Sequence, residues 1–270
     1  MTRPRTGFPF LDAGLDQPAA VLAFAHRGGA RHPDVAGLEN TMLAFEHAVR
    51  LGYTYLETDV HVTRDGQLLA FHDHVLDRLT SSVGSIVETA YVDLRTALIG
   101  GREPIPLMAD LLEHLPRARF NIDLKSDAAV PVLAELVERT GSHDRVCVGA
   151  FTERRLRAFR RLVSRPVATS YGPVGVGLSR YAPRLLAERL LHGRGDALQV
   201  PHRHRGLHIV TPRFVARAHA AGRPVHVWTV DEPDEMELLL DLGVDGLISD
   251  RTDVLRDVLV RRGQWLEPAP

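Results

Sequence analysis

Four short stretches of the sequence end or interrupt apolar runs with side chains that can do chemistry. VLAFAHRGG (21–29) closes on His26 and Arg27 before two glycines, and LETDV (56–60) carries Glu57 and Asp59. LLAFHD (68–73) reaches His72, and NIDLKS (121–126) holds Asp123 and Lys125. Residues two apart on a strand face the same side, so Glu57 converges with Asp59, and Asp123 with Lys125. Two carboxylates on one face of an apolar setting repel unless a cation or a proton stands between them. Hard oxygen donors of this kind suit Mg²⁺, Ca²⁺ or Mn²⁺ rather than zinc. Arg27 offers a planar fork of donors for a phosphate or carboxylate. Lys125 can neutralise a phosphate or simply pair with Asp123 or Glu57. His26 and His72 can each take or give a proton near neutral pH. Every one of these residues also has a plain structural reading: a capped strand end, a surface carboxylate paired with an arginine, a lone structural histidine.

These residues need a scaffold that gathers strand ends. Apolar, β-branched runs at 21–26, 55–63, 119–126, 145–151, 166–171, 196–201, 224–230 and 245–250 read as strands. Amphipathic stretches at 39–52, 106–115, 128–141, 152–163, 211–222, 231–243 and 251–262 read as helices between them. Thr152 sits where an N-cap belongs, Pro212 in a first turn, and Gly222 and Gly243 at helix ends. With 68–73 set aside as the return arm of a hairpin, eight strands remain. That count predicts an α/β fold, a TIM (β/α)₈ barrel of about 250 residues, with a doubly wound open sheet as the competing topology. Polar residues at the carboxyl ends of such strands read as catalytic. Residues 74–105 break the alternation and read as a small insertion after the second strand, a lid or subdomain. Residues 1–20 read as an extended arm laid on the surface of a single domain spanning 1–270. The stretches 172–180 and 202–208 read as loops walling the pocket.

Composition narrows the function classes. Lys plus Arg number 33 and Asp plus Glu 34, so no polyanion-binding surface is built and nucleic acid is not an expected partner. The single Cys147, set in an apolar run, rules out an intramolecular disulfide and a zinc finger and reads as an inert buried thiol. No stretch approaches the roughly 20 apolar residues of a transmembrane segment. The first twenty residues lack an apolar h-region, so the expected compartment is the cytoplasm. The near-neutral charge neither demands nor forbids a dimer.

Taken in order, AHRGG (25–29), ENTMLAF (39–45), LETDVHVTRDGQLLAFHD (56–73), IDLKS (122–126), VHVWTV (225–230) and DGLISD (245–250) resemble the glycerophosphodiester phosphodiesterase family of metal-dependent barrel enzymes. The segments run across nearly the whole domain, and their ordered set is far more specific than any one of them. The resemblance implies Glu57, Asp59 and Asp123 as metal ligands, and His26 and His72 as the acid–base pair. It implies Arg27 and Lys125 as phosphate contacts and Trp228 as an aromatic wall, the other reading of Trp228 being a core residue. Glu39 is expected to join the metal shell or to hold Arg27. Asn40 is expected to orient a ligand or to cap the following helix. Gln199, at the end of DALQVP, is expected to line the pocket, or else to be a core or strand-end residue. Asp123 departs from the glutamate more usual in the family at that place, which bears on metal affinity and choice of ion. The implied reaction is hydrolysis of a small phosphodiester substrate to sn-glycerol 3-phosphate and an alcohol, supported by Mg²⁺, Ca²⁺ or Mn²⁺. The alternatives are a lysophospholipase D-like or sphingomyelinase D-like enzyme, or a catalytically silent relative that binds phosphodiesters.

Overall fold

The apolar runs become eight parallel strands of a closed barrel in the computed structural model, which describes residues 3–17 and 19–267. The strands are β1 (Leu22–His26), β2 (Tyr55–Val62), β3 (Arg119–Leu124), β4 (Val146–Gly149), β5 (Ala168–Thr169), β6 (Leu198–Pro201), β7 (Val225–Trp228) and β8 (Gly246–Ser249). Chain neighbours pair in space from β1 to β5 and from β6 to β8, and β8 pairs with β1. A parallel bridge between Ser170 and Ala197, with Tyr171 N–H donating to Ala197 O at 3.0 Å, joins β5 to β6. That closure excludes the open doubly wound sheet.

Helices lie between the strands: α1 (Met42–Arg50), α2 (Met108–His114), α3 (Ala129–Thr140), α4 (Glu153–Leu162), α5 (Pro173–Tyr181), α6 (Arg184–Leu191), α7 (Pro212–Ala220), α8 (Pro233–Asp241) and α9 (Thr252–Arg261). Their starts follow local chemistry. Thr41 Oγ1 accepts from Ala44 N–H at 3.2 Å, and Thr211 Oγ1 from Phe214 N–H at 3.2 Å. A cap of this kind contributes about 1 kcal/mol. Thr152 does stand at the N-cap of α4, but its side chain makes no capping bond. Among the described residues, no helix is long and apolar enough to cross a membrane.

Alternation with period two divides each strand. On β2, Leu56 and Val60 join the core between barrel and helices, while Tyr55 packs inside the barrel with Leu22, Phe24, Cys147, Ala168, Ala197 and Ile248. The lower interior is therefore apolar, and the polar side chains of the same strands fall above it. The N-terminal arm is a correction to the sequence reading. Residues Pro9–Asp12 form a helical turn whose Phe10 and Leu11 are fully buried in that lower interior, so the arm plugs the barrel rather than lying on its surface. Tyr55 OH donates to Phe10 O at 2.6 Å. Residues 1, 2 and 18 of the arm lie outside the described residues.

Two predicted loops also differ. Residues 173–181 are helical: Pro173 occupies the first turn of α5, and Gly175 serves close packing, since a Cβ there would stand 2.7 Å from the Tyr171 ring. The 202–208 stretch folds into a short antiparallel hairpin, Arg203–His204 against Leu207–His208. Its turn residues Arg205 and Gly206 have φ of 48° and 79°, the positive pair a tight two-residue hairpin requires. Within 74–105 the chain makes a 3₁₀ turn, a helical turn and a hairpin that pairs Leu98–Ile99 with Glu103–Pro104, around its own apolar cluster, which includes Leu76, Ile86, Leu94 and Ile99.

Candidate active site

At the tip of β1, His26 stands in register with Glu57 of β2. Its Nδ1 is 2.8 Å from Asp250 Oδ1, just past β8, and its Nε2 is 3.7 Å from Glu57 Oε2. Burial alone would lower the pKa of the ring, but Glu57 and then Asp250 outweigh it and hold it above the ordinary value. Arg27 follows with φ of 50°, a left-handed conformation costly for a residue with a side chain. It is held there because its N–H donates to Glu57 O at 3.0 Å and its carbonyl accepts from Asn40 N–H at 2.8 Å. The two glycines then serve close approach at positive φ. A Cβ on Gly28 would lie 2.8 Å from Ala44 Cβ, and one on Gly29 2.7 Å from Thr252.

Beside this tip, two residues further along β2, lies a buried charge cluster. Asp59 and Asp123 are register partners on β2 and β3, and Lys125 Nζ sits 2.8 Å from Asp59 Oδ1 and 2.8 Å from Asp123 Oδ2. Arg27 Nε approaches Asp59 Oδ2 at 3.2 Å. Burial pushes the Glu57 carboxyl up to about 7, with the Asp59 charge adding to the effect. Burial also acts upward on Asp59, but Lys125 and Arg27 overcome it and hold that group low. At Asp123 burial prevails over Lys125 and the pKa is raised. The environments thus push two neighbouring carboxyls apart, a pattern common at functional sites.

His72 arrives by a hairpin. β2 runs past the barrel rim to Val62, and the antiparallel strand Leu68–Ala70 returns along it, with Phe71 N–H donating to Asp59 O at 2.9 Å. His72 is thereby set beside the acidic cluster, its Nδ1 2.6 Å from Asp73 Oδ1. Arg78, from the insertion, grips Asp73 through Nε at 2.6 Å and Glu39 through Nη2 at 2.7 Å and Nη1 at 3.0 Å. Glu39 also accepts from Arg27 Nη1 at 3.0 Å, so of its two expected roles it performs the holding of Arg27. Burial would raise Glu39, but Arg78 and Arg27 reverse that. Asn40 does not cap α1, since Thr41 does. It is fully buried at φ 59°, its Oδ1 accepting from Thr58 Oγ1 at 2.8 Å and its Nδ2 donor left without a partner.

Gln199 faces the barrel interior, where Nε2 donates to Asn121 Oδ1 at 2.8 Å and stands 3.4 Å from His226 Nδ1. It belongs to a polar layer between the charge cluster and the apolar plug. Trp228, half-buried at the end of β7, meets Phe151 edge-to-face with centroids 6.0 Å apart. The Phe151 ring lies 5.7 Å from Lys125 Nζ, so an aromatic wall borders the charged cluster. The site therefore combines two carboxylate-anchored imidazoles, two cationic arms and three buried carboxyls at one barrel mouth.

Known proteins share the fold and much of the sequence. The sequence model of the glycerophosphoryl diester phosphodiesterase family matches residues 26–254. The chain belongs to that family. A Mycobacterium tuberculosis protein named Probable glycerophosphodiester phosphodiesterase 2 is 43% identical over 90% of this chain and 92% of its own length. A solved structure from Silicibacter pomeroyi is 24% identical, covers 96% of this chain and 99% of that one, and superposes with a TM-score of 0.79. An Oleispira antarctica phosphodiesterase, solved in complex with the product sn-glycerol-3-phosphate, is 22% identical over 88% of this chain and 96% of that one, with a TM-score of 0.75.

A divalent cation is expected of this family, and the donor chemistry fits one. Glu57, Asp59 and Asp123 offer hard oxygens, and the buried Asp59 Oδ2 and Asp123 Oδ2 make ion-pair contacts but no aligned hydrogen bond. A bound cation would offset the burial and the Asp59 charge that together raise Glu57. Among the described residues these three do not form a cluster whose donor atoms all lie within 4.8 Å of one another. Lys125 stands between Asp59 and Asp123 and supplies the positive charge there.

Sequence reasoning missed Asp250, Asp73, Arg78 and Phe151. Asp250 and Asp73 close the very motifs DGLISD and LLAFHD, where a carboxylate at a strand end was the available signal. Arg78 gave none, because its partner Glu39 is 39 residues away in the chain.

Proposed function

We propose that this family member hydrolyses glycerophosphodiesters to sn-glycerol 3-phosphate and an alcohol, with His26 and His72 as its acid–base pair. The observation that carries the reading is that both imidazoles are held through Nδ1 by a carboxylate, Asp250 at 2.8 Å and Asp73 at 2.6 Å, on a rim that also presents Arg27 and Lys125. Anchoring Nδ1 fixes the ring and commits Nε2 to proton transfer. The complex of the Oleispira antarctica relative with sn-glycerol-3-phosphate supports the same product class.

In this mechanism Arg27 and Lys125 bind the phosphodiester, and the unpartnered Asn40 Nδ2 adds a neutral donor. One imidazole takes the proton of a glycerol hydroxyl as its oxygen bonds to phosphorus. The P–O bond to the alcohol breaks, and the second imidazole gives that alcohol a proton. Water then opens the resulting cyclic phosphate with the two proton roles exchanged. Glu57, Asp59 and Asp123 would hold Mg²⁺, Ca²⁺ or Mn²⁺, which when bound offsets the negative charge that builds on the phosphoryl oxygens. The Trp228–Phe151 wall shields Lys125 from water on one side, which strengthens its pull on the phosphate.

The test is release of glycerol 3-phosphate from glycerophosphocholine by chelator-treated protein, then with each cation added in turn. Turnover restored by a cation and lowered about 10²–10⁴-fold by His26→Ala and by His72→Ala is the expected result. A double-digit percentage of wild-type activity in either variant, with unchanged circular dichroism, would remove that histidine from its role.

A further inference from the structure

A second group of metal-ligating side chains lies outside the acidic cluster. His32, Asp34 and His47 offer one donor atom each, all within 4.8 Å of one another. Asp34 Oδ2 stands 3.3 Å from His47 Nε2 and 4.0 Å from His32 Nδ1, and the two rings lie 4.3 Å apart, centroid to centroid. Nitrogen and oxygen ligands bind zinc at about 2.0–2.2 Å, which in a tetrahedral shell puts donors about 3.4 Å apart. The observed donor separations of 3.3 and 4.0 Å straddle that spacing.

The setting is that of a built site. The His32 and His47 side chains are only 10% and 12% exposed, while Asp34 is open to solvent at 72%. The ligands are therefore held in place while one side stays accessible to an entering ion. His47 Nδ1 is buried and makes no hydrogen bond, so the ring is held by packing and by its Nε2 contact with Asp34. His32 Nδ1 now accepts from Asp34 N–H at 3.1 Å, and loading through that nitrogen would take over this lone pair.

The geometry points to a transition-metal site at His32, Asp34 and His47, of the zinc type, separate from the oxygen-only site at the barrel mouth. Two imidazoles and one carboxylate are a borderline donor set that selects Zn²⁺, Co²⁺ or Ni²⁺ over Mg²⁺ and Ca²⁺. Three protein ligands leave a fourth position to water. The ion would staple the 3₁₀ turn at Pro33–Val35 to α1 and so clamp the segment between them, which carries Glu39 and Asn40. This proposal does not depend on the reaction assigned above.

The experiment is Co²⁺ titration of tag-free, chelator-treated full-length protein, followed in the visible spectrum. Cobalt held by imidazoles in a four- or five-coordinate site absorbs strongly, whereas octahedral cobalt on oxygens absorbs weakly. The expected result is a strong band that saturates with one ion per chain, is displaced by Zn²⁺ and persists in a Glu57→Gln/Asp59→Asn variant. It should weaken in Asp34→Asn and His47→Gln by at least the roughly 10–100-fold in affinity that even an outer-shell partner is worth. Asp34 is exposed, so Asp34→Asn keeps the test valid if His47→Gln fails to fold. Zn²⁺ should also raise the melting temperature of wild type and not that of Asp34→Asn. A band that survives both ligand variants, or a titration showing only octahedral cobalt, would overturn the proposal.

Discussion

Arg78 ties the insertion to Glu39 and Asp73 at the barrel mouth, and Arg78→Met tests how much that grip is worth. Its guanidinium makes charge-assisted contacts of 2.6 and 3.2 Å to Asp73 and of 2.7 and 3.0 Å to Glu39. Arg78 is the largest cause that holds Asp73 down from 3.8 to about 2. At 1.36 kcal/mol per pH unit that drop corresponds to about 2.5 kcal/mol. Arg78 is half exposed, so solvent screening reduces its share to about 1 kcal/mol. Glu39 keeps Arg27 and is not orphaned. The expected loss is therefore about 1–2 kcal/mol, a few degrees in melting temperature for a chain of this size. Because a partner depresses the Asp73 pKa, this stability is complete above the unfolded value near 3.8 and disappears as pH falls toward 2. Thermal melts of wild type and Arg78→Met at pH 7, 5, 4 and 3 should therefore converge at the acid end. Freed Asp73 also lets the His72 ring drift, and a misplacement of about 1 Å costs about 100-fold in turnover. Arg78→Lys keeps the charge but cannot serve both carboxylates, so it should fall between wild type and Arg78→Met. A stability gap that stays constant down to pH 3, or a kcat on glycerophosphocholine within twofold of wild type, would refute the reasoning.

Asp250→Asn should leave the fold intact and lower kcat about 10²–10⁴-fold, because His26 Nδ1 loses the carboxylate that fixes its tautomer; steady-state kinetics beside circular dichroism checks this. Lys125→Met leaves the buried Asp59 and Asp123 without their shared cation. It should cost about 3–5 kcal/mol without metal, and saturating Mg²⁺ or Ca²⁺ should raise the melting temperature of the variant more than that of wild type. His226 is fully buried, and burial, with Arg3 adding to it, pushes the ring down to about 3. The unfolded chain takes up that proton below about pH 6.5, so stability should fall as pH drops from 6.5 toward 3, by up to about 1.4 kcal/mol per pH unit. In His226→Asn the melting temperature should depend less steeply on pH across that range.

The eight strands, every helix named above except α5 and α6, and the grouping of polar side chains at strand ends are legible in the sequence because they rest on local rules. A period of two puts Glu57 with Asp59 and Asp123 with Lys125 on one face, and an apolar run ending in His26 marks a strand tip. The hairpin turn at 63–67 is also local, and it alone returns His72 to the end of β2. Other features depend on pairings that no local rule encodes. Barrel closure sets β8 against β1, and only then does Asp250 meet His26 across 224 residues of chain. The fold of the insertion decides that Arg78 reaches Glu39. Phe10 and Leu11 read as part of an extended surface arm because their partners are inward-facing residues of strands far along the chain. Gly175 reads as a loop glycine until Tyr171 packs where its side chain would be. Sequence periodicity thus determined which side chains share a face, since that needs only the pitch of a strand. Which faces meet was decided by closing the barrel, since only closure brings together residues that the chain holds far apart.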